Sequence, residues 1–287
     1  MQVKIWGCRG SIAAPGADTV AYGGNTSCVE VVHGGETTLI LDAGSGIRAL
    51  GVDLTRRGTR RIHLLLTHLH LDHLEGLRFF APLWDARVTV EIWGPRSPVL
   101  SLRDRILRAF SPPLFPLDLR DVPARVVFHT LPKEPWLVEG VTLRADLVMH
   151  PGPTVGYRIE SATASFAYLP DHEPALTGIE GRSLDWISGG ALARGVDLVL
   201  HDAQYLEDEY DSKIGWGHST VDQAVAFWRE VQAKQLVLFH HDPDRSDRQL
   251  EAIKDRAVGL SPDDRPPPLV AREGLVIELT DGKRLAD

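Results

Sequence analysis

The sequence predicts an α/β fold, and three observations carry that expectation. Short apolar, β-branched runs such as Ile62–Leu66 and Leu236–Phe239 have the length and composition of strands covered on both faces. Longer stretches with helical spacing, among them Ile47–Arg57 and Val221–Val231, lie between such runs. A His or Asp repeatedly follows where a strand ends: His68 after Leu66, His150 after Val148, Asp171 after Leu169, His201 and Asp202 after Leu200, His240 after Phe239. Polar side chains on loops over a rigid sheet are where α/β folds build their sites.

In chain order, Val29–Val32 and Thr38–Leu41 read as strands joined through Gly34-Gly35, a hairpin signal. Asp42-Ala-Gly-Ser-Gly46 breaks the pattern, and Ile47–Arg57 follows as a helix. Ile62–Leu66 is a strand and Leu74–Phe80 a helix. Val88–Trp93 is a strand stopped by Gly94-Pro95, and Val99–Phe110 a helix stopped by Ser111-Pro-Pro113. Val126–Phe128, Val141–Leu147, Thr154–Ile159 and Ser165–Leu169 read as strands. Leu184–Arg194 reads as a helix and Asp197–Leu200 as a strand. Val221–Val231 is a helix with Ser219 or Thr220 placed to cap its free N–H groups. Leu236–Phe239 is a strand, Ser246–Ala257 a helix and Leu275–Leu279 a last strand.

Bulk composition narrows the function classes. The chain has 287 residues, 43% of them hydrophobic and 24% charged, as in a globular protein with a real core. That length fits one large domain or two small ones. A formal net charge of −8 disfavours non-specific nucleic-acid binding, which needs clustered Lys and Arg. The one dense basic stretch, Arg103, Arg105 and Arg108, reads as a solvated helix face. Cys8 and Cys28 are too few for a disulfide framework and lack zinc-ligand spacing, so they read as buried thiols in a reducing cytoplasm. No apolar run approaches the roughly 20 residues of a membrane span, and no signal peptide is recognisable.

His68, His70, Asp72 and His73 place four metal-competent side chains in six residues, directly after a buried strand. Neutral imidazole and carboxylate suit zinc, and also manganese or iron. On extended backbone His68 and His70 point the same way. Asp72 and His73 fall where the chain turns, so they can face a second ion. Four residues cannot close two metal sites, so further ligands are expected elsewhere in the chain.

These motifs resemble the metallo-β-lactamase superfamily, and more closely its phosphodiesterase branch of tRNA 3′-processing endonucleases and class II cyclic-nucleotide phosphodiesterases. Asp42-Ala-Gly-Ser-Gly46 resembles the family's early strand-end Asp motif, and Thr67-His-Leu-His-Leu-Asp-His73 its hallmark. His70-Leu-Asp-His73 with Gly76 is similar to the class II phosphodiesterase version. His150 before Pro151-Gly152, Asp171 after Phe166–Leu169, and His240 in Leu238-Phe-His-His-Asp-Pro243 resemble the remaining ligands. The resemblance implies one four-layer αββα sandwich over residues 1–287, with two mixed sheets, helices outside and the metals at one edge. It implies His68, His70 and His150 on one divalent ion, Asp72, His73 and His240 on the other, and Asp171 between them. Zinc is the expected metal. Of the neighbouring pair, His240 is the expected ligand because its spacing to Pro243 matches the tRNA-processing family, leaving His241 to support a ligand or to face solvent.

Gly217-His-Ser-Thr220 followed by Gln223 resembles the tRNA-processing enzymes, in which this histidine lies over the scissile phosphate. His218 is therefore the expected proton donor to a leaving alkoxide, and Asp72 is counted with it in the catalytic set as well as among the ligands. His201-Asp202 is expected to support the metal-bound imidazoles. His33, His63, His129 and His172 read as structural or surface residues. The chain departs from the tRNA-processing enzymes at Val99 to Phe128, which lacks their long basic Gly/Pro-rich arm.

The expected function is thus a dinuclear phosphodiesterase acting in line on a small phosphodiester, such as a cyclic or short nucleotide. Water activated between two cations would be the nucleophile. An endoribonuclease acting on RNA ends and a non-catalytic metal-binding or sensing protein are the alternatives. No membrane partner is expected, and a homodimer is among the assemblies open to the chain.

Overall fold

The computed structural model describes residues 1–34, 37–176, 178–179, 181–262 and 264–279. Gly35, half of the expected Gly34-Gly35 turn, lies outside the described residues. One sheet contains β1 (Gln2–Gly7), β2 (Cys28–Val32), β3 (Thr37–Leu41), β4 (Arg61–Leu65), β5 (Thr89–Gly94) and β6 (Arg125–Thr130). The other contains β7 (Trp136–Val138), β8 (Val141–Leu147), β9 (Val155–Glu160), β10 (Ser165–Leu169), β11 (Leu198–Asp202), β12 (Gln235–Phe239) and β13 (Leu269–Val270). The last strand, β14 (Val276–Glu278), returns to the first sheet beside β1.

Both sheets are mixed, and in the same way. β14-β1-β2-β3 is antiparallel and β3-β4-β5-β6 parallel. β7-β8-β9-β10 is antiparallel and β10-β11-β12-β13 parallel. The parallel halves matter for the site, because their strands all end on one side. Register keeps those ends level: Leu41 pairs with Leu65, Leu169 with His201, and Asp202 with Phe239.

Three apolar layers make the sandwich. Leu39 and Leu41 of β3 and Leu198 and Leu200 of β11 point between the sheets. Ile40 packs outward under α1 (Ile47–Arg57) and α2 (Leu102–Ala109). Val199 packs outward with side chains of α3 (Gly190–Ala193), α5 (Val221–Val231) and α6 (Asp247–Gly259). Strands covered on both faces must be apolar at consecutive positions, which is why Leu39-Ile40-Leu41 does not alternate. Each such side chain withdrawn from water stabilises the fold by about 1.5–3 kcal/mol. α4 (Glu207–Tyr210) is a single turn leading toward the site. Among the described residues no helix is long and apolar enough to cross a membrane.

Local chemistry sets most boundaries. Thr220, not Ser219, caps α5: its hydroxyl accepts from Gln223 N at 3.1 Å, and the Gln223 side chain accepts from Thr220 N at 3.0 Å. Ser246 and Gln249 do the same for α6, and α1 stops at Gly58 in the left-handed conformation. Three expectations are corrected. Leu74–Phe80 is not an α-helix but a 3-10 segment over Glu75–Phe79. The expected helix from Val99 begins only at Leu102, where Ser101 caps it. Leu184–Arg194 breaks into a 3-10 turn, Leu184–Trp186, and α3, because Gly189 takes φ 69° and a Cβ on Gly190 would lie 2.5 Å from Leu184 O. β1 was not anticipated, although Val3 and Ile5 alternate with Gln2, Lys4 and Trp6 as a half-buried strand should.

Candidate metal centre and active site

The ends of β3, β4, β10, β11 and β12 converge, and the loop after β8 joins them. His68 and His70 follow β4, and a 3-10 turn over Leu71–His73 carries Asp72 and His73. A close crossing holds that turn against the 42–46 loop: Ala43 N donates to His73 O at 2.8 Å and Gly76 N to Ala43 O at 3.0 Å. A Cβ on Gly76 would lie 2.1 Å from Gly44 O, so only glycine fits. The second sheet is keyed to the same loop. Tyr157 donates to Leu66 O at 2.6 Å, Val155 N to Thr67 O at 3.0 Å, and Tyr168 to Asp42 at 3.1 Å.

Seven side chains expected as ligands meet in two adjoining clusters. His68, His70 and His150 form one; Asp72, His73, Asp171 and His240 form the other. Asp171 faces both. Its Oδ2 lies 3.7 Å from His68 Nε2 and 3.6 Å from His150 Nε2, and its Oδ1 lies 2.9 Å from His73 Nε2 and 3.3 Å from His240 Nε2. Asp72 Oδ2 is 3.3 Å from both His73 Nε2 and His240 Nε2. His150 Nε2 is 3.2 Å from His70 Nδ1, and His73 Nε2 is 3.4 Å from His240 Nε2. Ligand atoms around a tetrahedral ion with bonds of about 2.1 Å are themselves about 3.4 Å apart. One ligand atom inside the clusters, His68 Nε2, is buried without a hydrogen bond. Buried polar atoms are rarely left so, and a cation supplies what it lacks. The residues therefore fit divalent metal ions.

Four of the imidazoles are oriented by their other nitrogen. His73 Nδ1 donates to Asp42 Oδ2 at 2.8 Å, His150 Nδ1 to Gly217 O at 2.9 Å, and His240 Nδ1 to Gln204 Oε1 at 3.0 Å. His68 Nδ1 lies 3.0 Å from the Thr67 hydroxyl, which in turn donates to Asp42. Such partners fix the tautomer and leave a lone pair aimed inward. Burial holds His68 and His150 below the usual histidine range, and His70, with one side open to solvent, is lowered by the part of its ring that is covered. For His73 burial opposes the charge, but without metal the carboxylates of Asp171, Asp72 and Asp42 outweigh it and raise the ring, so a cation bound at Nε2 would displace a proton. Burial also opposes the charge on Asp171, and His240, His73 and His68 around it still hold the carboxyl well below its usual range.

Asp42 is the hub of this shell. It has φ 60°, a left-handed backbone, and accepts from Thr67 N at 2.8 Å as well as from His73 and Tyr168. Asp42→Asn would turn an amide toward a donor. The expected result is a metal affinity lowered about 10–100-fold with the fold kept, read by competition against a chromogenic chelator. An unchanged affinity would remove Asp42 from the shell.

His218 lies across both clusters. Its ring stacks on His240 at 5.0 Å and meets His150 edge-on at 4.9 Å. Its Nδ1 donates to Asp202 Oδ2 at 2.6 Å, and Asp202 Oδ1 accepts from Ser219 N at 2.9 Å and Gln204 N at 3.1 Å. Burial works against a charge on His218, but the charge of Asp202 and its hydrogen bond outweigh it and lift the ring to about 9. Cations beside it would draw that value down. An imidazole held by a buried carboxylate, with no hydrogen bond on its other nitrogen among the described residues, can deliver a proton.

The neighbouring assignments are sorted by contact. His241 is buried away from the clusters and donates to Ala271 O at 2.8 Å. Asp202 supports His218 rather than a ligand imidazole; the partner of His240 is Gln204, which the sequence reading had not singled out. His201 is buried with its Nε2 2.8 Å from His172 Nδ1, so both are core residues. Cys8 and Cys28 are buried free thiols.

Two more residues escaped the sequence reading. A Cβ on Gly10 would lie 2.5 Å from His240 Nδ1, so the bare backbone of Gly10 sets the position of that ring. Glu173, fully buried, accepts from Gly215 N and Gly217 N at 2.9 Å each and from the Tyr210 hydroxyl. It ties down the loop that delivers both Gly217 O to His150 and His218 to the site. Its place two residues after Asp171 was the only signal available.

The beta-lactamase superfamily domain pattern matches residues 37–241. A ribonuclease Z from Pyrococcus horikoshii is 23% identical over 281 residues, covering 83% of this chain and 86% of that protein. The short form of human tRNase Z superposes with a TM-score of 0.67 at 22% identity, covering 97% of this chain and 99% of the other. A diphosphatase of the PhnP family superposes with a TM-score of 0.68 at 20% identity, covering 96% and 97%. The matched span exceeds two thirds of the chain and contains every strand end that reaches the site: the chain belongs to the metallo-β-lactamase superfamily, in its metal-dependent hydrolase branch.

Proposed function

We propose that this protein is a dinuclear phosphodiesterase acting on a small phosphodiester, such as a cyclic or short nucleotide. The observation that carries the reading is the Asp202–His218 pair set over both clusters at once. A phosphodiester with an alkyl leaving group needs a proton donor there, whereas a thiolate or an aryl oxide departs without one.

His68, His70 and His150 would hold one cation, Asp72, His73 and His240 the other, with Asp171 between. Zinc fits this donor set, and manganese or iron are the other candidates. Two cations at such a centre lower the pKa of water and offset charge on phosphoryl oxygens. The protein's own residues do the rest. His218 holds a proton for the leaving oxygen, and Asp202 fixes the ring so that Nε2, not Nδ1, is offered. Asp42, Gln204 and Gly217 O keep the ligand rings from turning as charge develops. The two sheets share one buried core, which supports reading residues 1–287 as a single domain. The two buried free thiols support the cytoplasm as its location.

The similarity to ribonuclease Z supports phosphodiester chemistry as such. The net charge of −8 and the lack of a long Gly/Pro-rich basic arm between β5 and β6 favour a small substrate over RNA. The test is turnover by the metal-loaded protein of cyclic nucleotides, aryl phosphodiesters and RNA in parallel. Turnover of small diesters above RNA supports the reading; cleavage of RNA ends alone replaces it with the endoribonuclease, and no phosphodiester turnover at all overturns it.

Metal removal gives an independent result. Each ion that binds only the folded state stabilises it by about 2.7 kcal/mol when free metal stands at 100 times Kd. Chelation is therefore expected to lower Tm by several degrees, and zinc to restore it, both read by scanning calorimetry. A Tm indifferent to chelator and to added metal would argue against a resident centre.

A further inference from the structure

The loop between α4 and His218, residues 211–217, presents an exposed aromatic side chain within two residues of the proposed proton donor. Trp216 is 54% exposed. The Lys213 ammonium lies 4.1 Å from the centre of the Trp216 ring and 5.6 Å from that of Tyr205. Tyr205 in turn meets the His218 ring edge-on at 5.8 Å. Lys213 thus joins the exposed indole to the site through a cation–π contact on each side. Among the described residues it makes no ion pair.

This loop is held firmly for so exposed a segment. Glu173 takes Gly215 N, Gly217 N and the Tyr210 hydroxyl, one partner before the indole and one after it. Trp216 N donates to Lys213 O at 2.9 Å, closing the turn that brings the ammonium over the ring. A fully buried carboxylate spent on the backbone either side of Trp216 fixes where the indole stands. An aromatic face fixed in advance loses little conformational freedom when a flat ligand stacks on it.

We propose that Trp216, backed by Lys213, is a subsite for the nucleobase of a mononucleotide whose phosphate sits at the metal centre. The proposal rests on the phosphodiesterase reading and names the substrate class within it. A planar π system matches the indole, and every base offers one. The surroundings choose a mononucleotide over a longer strand. Asp211 is exposed in the loop itself. Further phosphates of an RNA chain following the loop would meet this carboxylate, and juxtaposed like charges disfavour binding. A ligand with one phosphate, already placed at the cations, avoids it.

The test compares two ligands that differ only by the base, adenosine 5′-monophosphate and ribose 5-phosphate, by calorimetric titration of the zinc-loaded protein. Base–aromatic stacking of about 1–3 kcal/mol predicts that wild type binds the nucleotide about 5- to 150-fold more tightly. Trp216→Ala should bring that ratio close to one, and Trp216→Phe should keep part of it. The indole is exposed, so the variant's fold is expected to survive, and circular dichroism checks it. Equal affinity of wild type for the two ligands overturns the subsite, as does a preference that survives Trp216→Ala or binding of neither ligand. The outcome is separate from the fate of the phosphodiesterase reading. A protein that prefers the nucleotide through Trp216 yet hydrolyses no diester keeps the subsite and loses the function. One that hydrolyses small diesters with no base preference keeps the function and loses the subsite.

Discussion

His70→Ala leaves a folded protein with about half the metal and no measurable phosphodiester turnover; this is the largest effect expected of a single substitution. His70 is exposed at the mouth of the site, so truncating it opens no buried cavity. What it removes is one of three imidazoles in the His68, His70 and His150 cluster, and the other two with Asp171 leave that cation one donor short. The variant should therefore match wild type in Tm when both are stripped by chelator, and fall below it when both are loaded with zinc. Elemental analysis, calorimetry with and without chelator, and turnover on an aryl phosphodiester read the three parts. Wild-type metal content together with wild-type turnover would mean that His70 is not a ligand. A Tm deficit that persists without metal would mean that its role is structural.

His218→Ala should act on chemistry alone. Both clusters and their orienting partners are intact without it, because Asp202 is also held by Ser219 N and Gln204 N. With an alkyl leaving group, turnover should fall by about 10² to 10⁴, the usual range for general acid catalysis. With p-nitrophenol the loss should be much smaller, since that oxygen departs without a proton. Asp202→Asn should show the same dependence on leaving group in weaker form, because it keeps a side chain at Nδ1 but turns the tautomer. The measurement is kcat on the two substrates with metal content checked in each protein. Equal losses on both would assign His218 to phosphate binding, and no loss on either would remove the observation on which the phosphodiesterase reading stands.

The candidate site is partly legible in the sequence. His68, His70, Asp72 and His73 stand in one short run because they share a strand end and the turn after it, so their chemistry is visible as local spacing. His150, Asp171 and His240 were reachable through a weaker local rule, that ligands follow apolar strands; the same rule also picked out His201, which turned out to be a core residue paired with His172. A strand end announces that a polar side chain is near the sheet edge, but not which way it points.

Secondary structure divides along the same line. α5 runs from Val221 to Val231 as the sequence indicates, because its apolar spacing and the Thr220–Gln223 cap are both local. The helix expected at Leu184–Arg194 was lost to Gly189 and Gly190, whose backbone must pass close to Leu184, a demand set by packing.

By itself, the sequence determined the α/β class, most strand positions, the cluster at residues 68–73 and the resemblance that joins His218 to it. Tertiary structure alone decided that Asp202 serves His218 while Gln204 serves His240, that Gly10 clears space for the His240 ring, and that Glu173 anchors the loop bearing Trp216. Spacing along a chain records which groups one element carries. Hydrogen bonds across two sheets, and the room a ring needs, depend on atoms brought together from far apart in the chain.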